Sequence, residues 1–341
     1  MTAVTKESGD KADRADNATE AAGARRPWAD RGGAWLRQQY PLLILVVLLI
    51  FASAMSDAFL STRNIENLVL QMSVVGIVAL AQFIVVLSGG IDISVGSVLG
   101  LACVMSTGLF GNTSVALAVL AAMVVGAALG AVNGFLVAFR GLEPFIVTLG
   151  MLALARGLVY AYTEGIPVRP SDPSFTTVGM ATVAGIPLLG VIWLAAAVAV
   201  AFVLRRTVFG RRVRAVGSKQ QAAHASGVPV RGTLLMVYTL AGLLVGLGGF
   251  LLASRVGAAT PTAGNLYELD AIAAVVIGGA SLRGGRGRVF GVVVGTTIFG
   301  VITNLLVLLN VSTFLQDAFR GGLILVAITL ATLGRRQNSS G

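Results

Sequence analysis

Apolar runs long enough to cross a lipid bilayer recur along this 341-residue chain, and they decide what it can fold into. A membrane-spanning helix needs about 20 predominantly apolar residues, with a range of roughly 17–25. Seven segments meet that requirement clearly: 41–60, 67–87, 114–139, 186–204, 233–254, 289–309 and 313–334. Three more are less regular: 94–110, 144–163 and 268–281. The last holds only about 14 residues, the length of half a span or a re-entrant piece. The pattern predicts an all-α fold, a polytopic membrane helix bundle of about ten transmembrane segments. Composition agrees: 56% of residues are hydrophobic and 12% charged, where a soluble domain carries about 25% charged residues. An ordinary soluble enzyme is thereby excluded.

The net charge of +10 resembles a nucleic-acid signal until its placement is read. Residues 1–40 hold seven Lys/Arg and six Asp/Glu without apolar periodicity, which predicts a disordered cytoplasmic tail. No short apolar core followed by a small-residue cleavage site follows the basic residues, so the stretch does not read as a signal peptide. Seven of the remaining 18 basic groups fall between Arg205 and Arg231, where there is no acidic residue. Basic residues near short loops mark the cytoplasmic side. With ten spans and both termini inside, Arg140, the 205–231 loop, the Arg283/Arg286/Arg288 stretch and Arg335–Arg336 all face the cytoplasm. The loops carrying Asp57, Arg63 and Glu66, and Glu164, Arg169 and Asp172, face outward. The charge is therefore topology charge, and a nucleic-acid partner is not expected.

The predicted domain plan is a tail over 1–40, a transmembrane domain over 41–334 and a cytoplasmic tail over 335–341. Near residue 185 the domain divides into halves, 41–185 and 186–334, of about five spans each. An odd number of spans per half makes the halves inverted, a common plan in transporters. Span 67–87 ends in Ser88-Gly89-Gly90-Ile91-Asp92-Ile93-Ser94-Val95-Gly96. Span 233–254 is followed by the Gly/Pro segment 257–264 and then Tyr267-Glu268-Leu269-Asp270. Helix breaks at corresponding positions of two halves point to a substrate path. Small residues four apart, Gly126/Gly130/Gly134, Gly242/Gly246 and Gly291/Gly295, predict faces of close helix packing.

Polar groups inside the spans add candidates. Asp92, with the Ser94 hydroxyl, either organises the broken helix and borders a path beside Gly90, or caps the helix over 94–110. Arg156 has no acidic residue one turn away and needs a carboxylate or carbonyls on another helix. Asn133, Asn304 and Gln82 want partners across an interface; they either line a path for a hydroxyl-rich solute or pair structurally. Glu268 and Asp270 open the short span after the second break. Asp317 and Arg320, at i and i+3, predict a structural pair.

The loop 205–231 carries more than charge. Ser218 is suited to N-cap a short helix over 219–226, with Gly227 ending it. That places a small Ala-rich helix on the cytoplasmic surface. Lys occurs only at 6, 11 and 219, never after Gly, so no phosphate-binding G-x-x-x-x-G-K-[ST] loop exists. One Cys and one His exclude a zinc site, a Cys–His nucleophile pair and an intrachain disulfide.

Four stretches carry a resemblance: 88–96; Phe209 to Gly227; Tyr267 to Leu282 with Gly284-Gly285-Arg286-Gly287; and Pro144 to Gly150 with Arg156. Together they resemble the permease subunit of bacterial ABC importers for monosaccharides, of the ribose, xylose, arabinose and galactoside type. The likeness covers about 41 to 334. It implies a multi-pass subunit of the bacterial cytoplasmic membrane that translocates a monosaccharide, paired with a second permease copy. An ABC ATPase docks inside and an extracytoplasmic sugar-binding protein outside. ATP and Mg then belong to the ATPase, and this chain holds no cofactor, metal or catalytic residue. The helix near 218–227 becomes the element coupling the permease to the ATPase, with Gly210, Arg211, Arg214, Gly217, Ala222, Ala223, Ser226 and Gly227 as its residues. The family often has Asn-Gly where this chain has Asn304-Leu305. Alternatives are an ABC permease for a nucleoside or a branched-chain amino acid, and a secondary transporter using Asp92 as a proton or cation site.

Overall fold

A computed structural model describes residues 29–336 apart from residue 112. The chain divides into two units, residues 1–43 and 44–341. The first is described only from residue 29, where α1 (Ala29–Met55) begins. Most of the tail expected over 1–40, and residues 337–341 at the other end, lie outside the described residues, whereas 29–40 are helical.

In the second unit, helices fall on every apolar segment from 67 onward, in order. They are α2 (Thr62–Leu87), α3 (Val95–Gly108), α4 (Val115–Arg140) and α5 (Pro144–Thr163). After the 164–187 segment come α7 (Leu188–Arg206), α10 (Val230–Val256), α11 (Tyr267–Ile277), α12 (Val289–Leu308) and α13 (Thr313–Arg336). The 164–187 segment itself holds a 3-10 turn (Pro173–Thr176), the one-turn helix α6 (Thr177–Met180) and a hairpin of β1 (Thr182–Val183) with β2 (Ile186–Pro187). Two short helices, α8 (Val208–Ser218) and α9 (Gln220–Ala225), separate α7 from α10. Among the described residues, α2, α4, α5, α7, α10 and α12 are long and apolar enough to cross a membrane.

Two expected boundaries move. The first span, expected to reach residue 60, stops at Met55. Residues 56–60 instead turn so that Phe59 is fully buried and its carbonyl accepts from the Asn64 amide at 2.8 Å. The segment 268–281 contributes a helix of only 11 residues. At about 1.5 Å per residue it spans about 16 Å, and the 14 residues of α3 about 21 Å. Both fall short of the roughly 30 Å hydrocarbon core.

The core forms around α2, which is buried on all sides from Met72 to Ser88. A helix apolar all round belongs at the centre of a bundle. Helices α4, α5 and α7 keep large apolar side chains on their outer faces, including Val124, Phe135, Leu149 and Phe202, as lipid contact allows. The glycine rows do what their spacing predicts. A Cβ on Gly126 would collide with the Gly242 carbonyl, one on Gly246 with that of Ala122, and one on Gly130 with that of Tyr238. Helices α4 and α10 therefore touch backbone to backbone. Gly291 and Gly295 make the same contact with Gly278 and Ala274 at the end of α11.

The connections gather at two ends. At one, Gly217 meets Leu87 and Gly285, and Gly284 meets Gly89. At the other, Val168 and Ala259 exchange backbone hydrogen bonds of 2.9 and 2.8 Å, and Ser254 Oγ donates to the Phe175 carbonyl. There the Asp172 carboxylate accepts from Ser174 at 2.8 Å, which holds its carboxyl below the usual range.

Gly242→Leu is expected to destabilise the purified protein by about 1–3 kcal/mol or more, as overpacking does. Gly157→Ala, whose added methyl meets nothing within 4 Å, should leave thermal unfolding in detergent unchanged or slightly raised. Equal melting curves for the two variants would show that the α4–α10 contact is not close.

Candidate functional site

The first break follows α2. Ser88 closes the helix, its hydroxyl donating to the Val85 carbonyl at 2.7 Å. Gly89 then takes φ +92°, a conformation that favours glycine. Asp92 Oδ1 accepts from the Ser94 backbone N–H at 2.8 Å and from the Ser94 hydroxyl at 2.6 Å. Asn133 Nδ2 of α4 donates to Ser94 Oγ at 3.1 Å. Asp92, Ser94 and Asn133 are all buried. The carboxylate thus takes a backbone N–H freed just ahead of α3 and orients the hydroxyl that Asn133 reads. Ser94 occupies the N-cap position without making a side-chain cap bond. Gly90 completes the group: a Cβ there would lie 2.6 Å from the Tyr238 hydroxyl of α10. Gly90, Asp92, Ser94 and Asn133 therefore come together, as their placement suggests.

The second break follows α10, which ends at Gly257 with φ +71°. The segment 257–266 turns back along α3. Arg156 Nη1 of α5 donates to the carbonyls of Pro261 (3.2 Å) and Ala263 (2.9 Å). These carbonyls belong to no helix, so an arginine is their hydrogen-bonding substitute for water. Gly96 and Gly100 of α3 make room: a Cβ on Gly100 would sit 2.5 Å from the Ala263 oxygen and 3.4 Å from Arg156 Nη1. A Cβ on Gly96 would collide with the Glu268 carboxylate and the Gly264 carbonyl. Arg156 and Glu268 thus lie on one glycine face of α3, two residues beyond Ser94.

Asp270 stands elsewhere. It faces α13, with Arg320 Nε 3.8 Å from its Oδ1, and Arg320 also pairs with Asp317 at 3.6 Å. The expected Asp317–Arg320 pair is present, and its arginine extends to a carboxylate expected near a path. Asn304 likewise has a structural partner: its amide and that of Asn64 donate to each other at 2.8 and 3.0 Å. Gln82 is fully buried with neither amide atom partnered among the described residues.

The loop after α7 departs from its expected form. Thr207 caps α8, accepting from the Gly210 N–H at 3.3 Å. Helix α8 then runs through Gly217 to Ser218, whose hydroxyl donates back to the Arg214 carbonyl. Ser218 is therefore the last residue of α8 and not the cap of the next helix. The chain turns at Lys219 (φ −161°), and α9 covers Gln220–Ala225. Gly227, at φ +78°, ends it as expected, and the Val228 N–H returns to the Ala223 carbonyl.

Helix α8 is amphipathic: Gly210, Val213, Val216 and Gly217 are buried, and Arg211 is exposed. Arg214 Nη1 donates to the Gly287 carbonyl at 3.3 Å. Burial first, and Arg205 second, lower its guanidinium below the usual arginine value. At Gly217 the Cβ position is filled by the Leu87 carbonyl, with the Gly285 nitrogen 2.7 Å away. The Gly285 N–H itself donates to that carbonyl at 2.9 Å. The end of α2, the end of α8 and the loop after α11 thus share one backbone junction, two residues before Gly89. On α9, Ala223 is buried while Ala222 and Ser226 are exposed, and a groove of about 1050 Å³ runs beside it, past Lys219, His224 and Arg231.

Sequence reasoning missed Tyr238. A tyrosine in the apolar run Met236-Val237-Tyr238 was the available signal, because a buried phenol normally finds a partner.

The chain matches the family described as branched-chain amino acid transport system / permease component over residues 64–328. It is 41% identical over 293 residues to the ribose import permease protein of Bacillus subtilis, covering 85% of this chain and 91% of the relative. The D-allose transport system permease protein of Escherichia coli is 37% identical, covering 85% and 90%. The galactose/methyl galactoside import permease protein of Salmonella typhimurium is 38% identical, covering 88% and 95%. No solved structure matches the chain.

Arg156→Ala leaves the Pro261 and Ala263 carbonyls without their donor, at a cost of about 1–3 kcal/mol for each that stays buried. Hydrogen exchange over 257–266 is expected to accelerate while the α4–α10 amides stay protected. Unchanged exchange there would show that Arg156 does not hold the segment.

Proposed function

The chain belongs to the family of branched-chain amino acid transport system permease components, and on that premise we propose that it is the membrane-spanning permease subunit of an ATP-driven ABC importer carrying a monosaccharide. The observation that carries this reading is the identity of 37–41% to import and transport permeases for ribose, allose and galactosides, over nine-tenths of their lengths. Those relatives favour a sugar over a branched-chain amino acid or a nucleoside.

The proposed assembly pairs this chain with a second permease copy in the bacterial cytoplasmic membrane. An ABC ATPase binds ATP and Mg inside, and an extracytoplasmic binding protein delivers the sugar outside. The chain itself carries no cofactor. Its ten apolar segments cross in two inverted halves with both termini cytoplasmic, the short helices α3 and α11 doing so together with the breaks that precede them. The convergence of the Arg140, 205–231 and 283–288 loops at one end supports that orientation.

In this mechanism the ATPase grips α9 and its end along Ala222, Ser226 and Gly227, buried Ala223 seats the helix on the permease, and Arg211 and Arg214 flank the contact. Its closure moves α8, and Gly217 carries the displacement to Leu87 and Gly285 without an intervening flexible side chain. The first break and the loop after the second short helix then shift together, and the path changes the side to which it opens. Such a change needs two discrete states that ATP favours differently. Binding protein supplies the affinity, so a path of small and neutral polar groups suffices.

Vesicles carrying the chain with its ATPase and binding protein should take up a pentose or hexose only when ATP is inside, and a protonophore should not abolish it. Uptake that collapses with the protonophore and needs no ATP would replace this reading with a secondary transporter. Ala222→Arg, on the exposed face of α9, should lower uptake about tenfold or more by blocking a packed contact, without changing the melting of the isolated chain. Full uptake by that variant would remove α9 from the ATPase contact.

A further inference from the structure

Tyr238 is 1% exposed, and its hydroxyl has no partner among the described residues. A buried hydroxyl left unbonded costs about 1–3 kcal/mol, so its position calls for an absent partner. The phenol borders a cavity of about 170 Å³. At about 30 Å³ per water, that is room for five or six waters or part of one small solute.

Three elements build this cavity. Leu234 and Tyr238 line it from successive turns of α10, Val137 from the last turn of α4 and Gly141 from the residue that ends it, and Ser88 to Gly90 from the end of α2. Its mouth lies between the Gly141–Pro144 turn and Gln220, the first residue of α9. Asn133 precedes Val137 by one turn on the same face of α4, and its Oδ1 is also buried without a partner. Its amide nitrogen is already committed to Ser94, which is committed to Asp92. The cavity therefore meets one free hydroxyl, that of Tyr238, while Asn133 Oδ1 lies outside its lining and the nearby carboxylate is held by Ser94. A phenol hydroxyl both donates and accepts, so it is a neutral group of the kind that bonds alcohol groups.

We propose that this cavity is a subsite for a polyhydroxylated solute near the inner end of the path, with Tyr238 Oη bonding one of its hydroxyls. Gln220 forms the inner lip, so the element that contacts the ATPase also narrows or widens the exit. The inference deepens the proposed function and rests on it.

The test uses the full transporter in vesicles and the monosaccharide that the wild type takes up from a panel of pentoses and hexoses. Tyr238→Phe removes one oxygen. It should raise KM for that sugar about threefold to tenfold, the loss of one neutral hydrogen bond, with ATP hydrolysis intact. In a Cys103→Ser background, Val137→Cys should react with a small polar thiol reagent, and the sugar should slow that reaction. An unchanged KM together with labelling indifferent to the sugar would overturn the subsite while leaving the importer reading standing. A wild type that moves no monosaccharide would overturn both. Should Tyr238→Phe fail to fold, sugar protection of Val137→Cys still decides the matter: protection supports the subsite and its absence overturns it.

Discussion

A helix broken inside a bilayer leaves peptide groups that no water can reach, and each must find a partner within the protein. This chain breaks twice, after α2 and after α10, and much of its polar inventory serves those breaks. Asp92 takes the Ser94 N–H ahead of α3. Arg156 gives its guanidinium to the carbonyls of Pro261 and Ala263 ahead of α11. The Leu87 carbonyl, at the lip of the first break, accepts from Gly285 beyond the second short helix. Remove these bonds and two short helices, about 21 and 16 Å long by their residue counts, have nothing to fix their starts within the bundle.

Glycine makes the arrangement compact enough to transmit motion. Gly96 and Gly100 let the 257–266 segment lie against α3, and Gly217 lets α8 rest on the backbone of α2. A contact between backbones has no rotamer to absorb a displacement, and packed interiors transmit strain instead of damping it. Gly217 therefore joins α8 to the first break and to the loop after α11 by a stiff route, and this gives the proposed importer a physical means of passing work from the ATPase to the path. The same closeness explains why Gly90 faces Tyr238: a side chain at 90 would fill the space the phenol borders.

The helix positions were legible because lipid demands long apolar runs, and the breaks were legible because glycine and acidic residues interrupt those runs at matching places. What stayed hidden depended on partners far away in sequence. Ser218 has the side chain of an N-cap and stands ahead of an Ala-rich stretch, which predicts a helix start there. In the fold Gly217 lies within α8, its missing side chain serving the Leu87 carbonyl, and the true cap is Thr207. Asp270 shares the break's composition, yet Arg320, fifty residues on, takes it toward α13. Asn304 leaves a path role and a structural pair open in the sequence, and Asn64, 240 residues away, makes it a pair. Tyr238 was invisible because only the fold shows that its hydroxyl lacks a partner.

The proposed function requires that α8 and α9 move as one with the first break and the loop after α11. Hydrogen exchange on the intact transporter in nanodiscs, with and without ATP, tests it most directly. The account predicts that amides over 87–94 and 283–287 change protection together with those of α8 and α9 when ATP is added. A change confined to α8 and α9, with 87–94 and 283–287 unaltered, would contradict it.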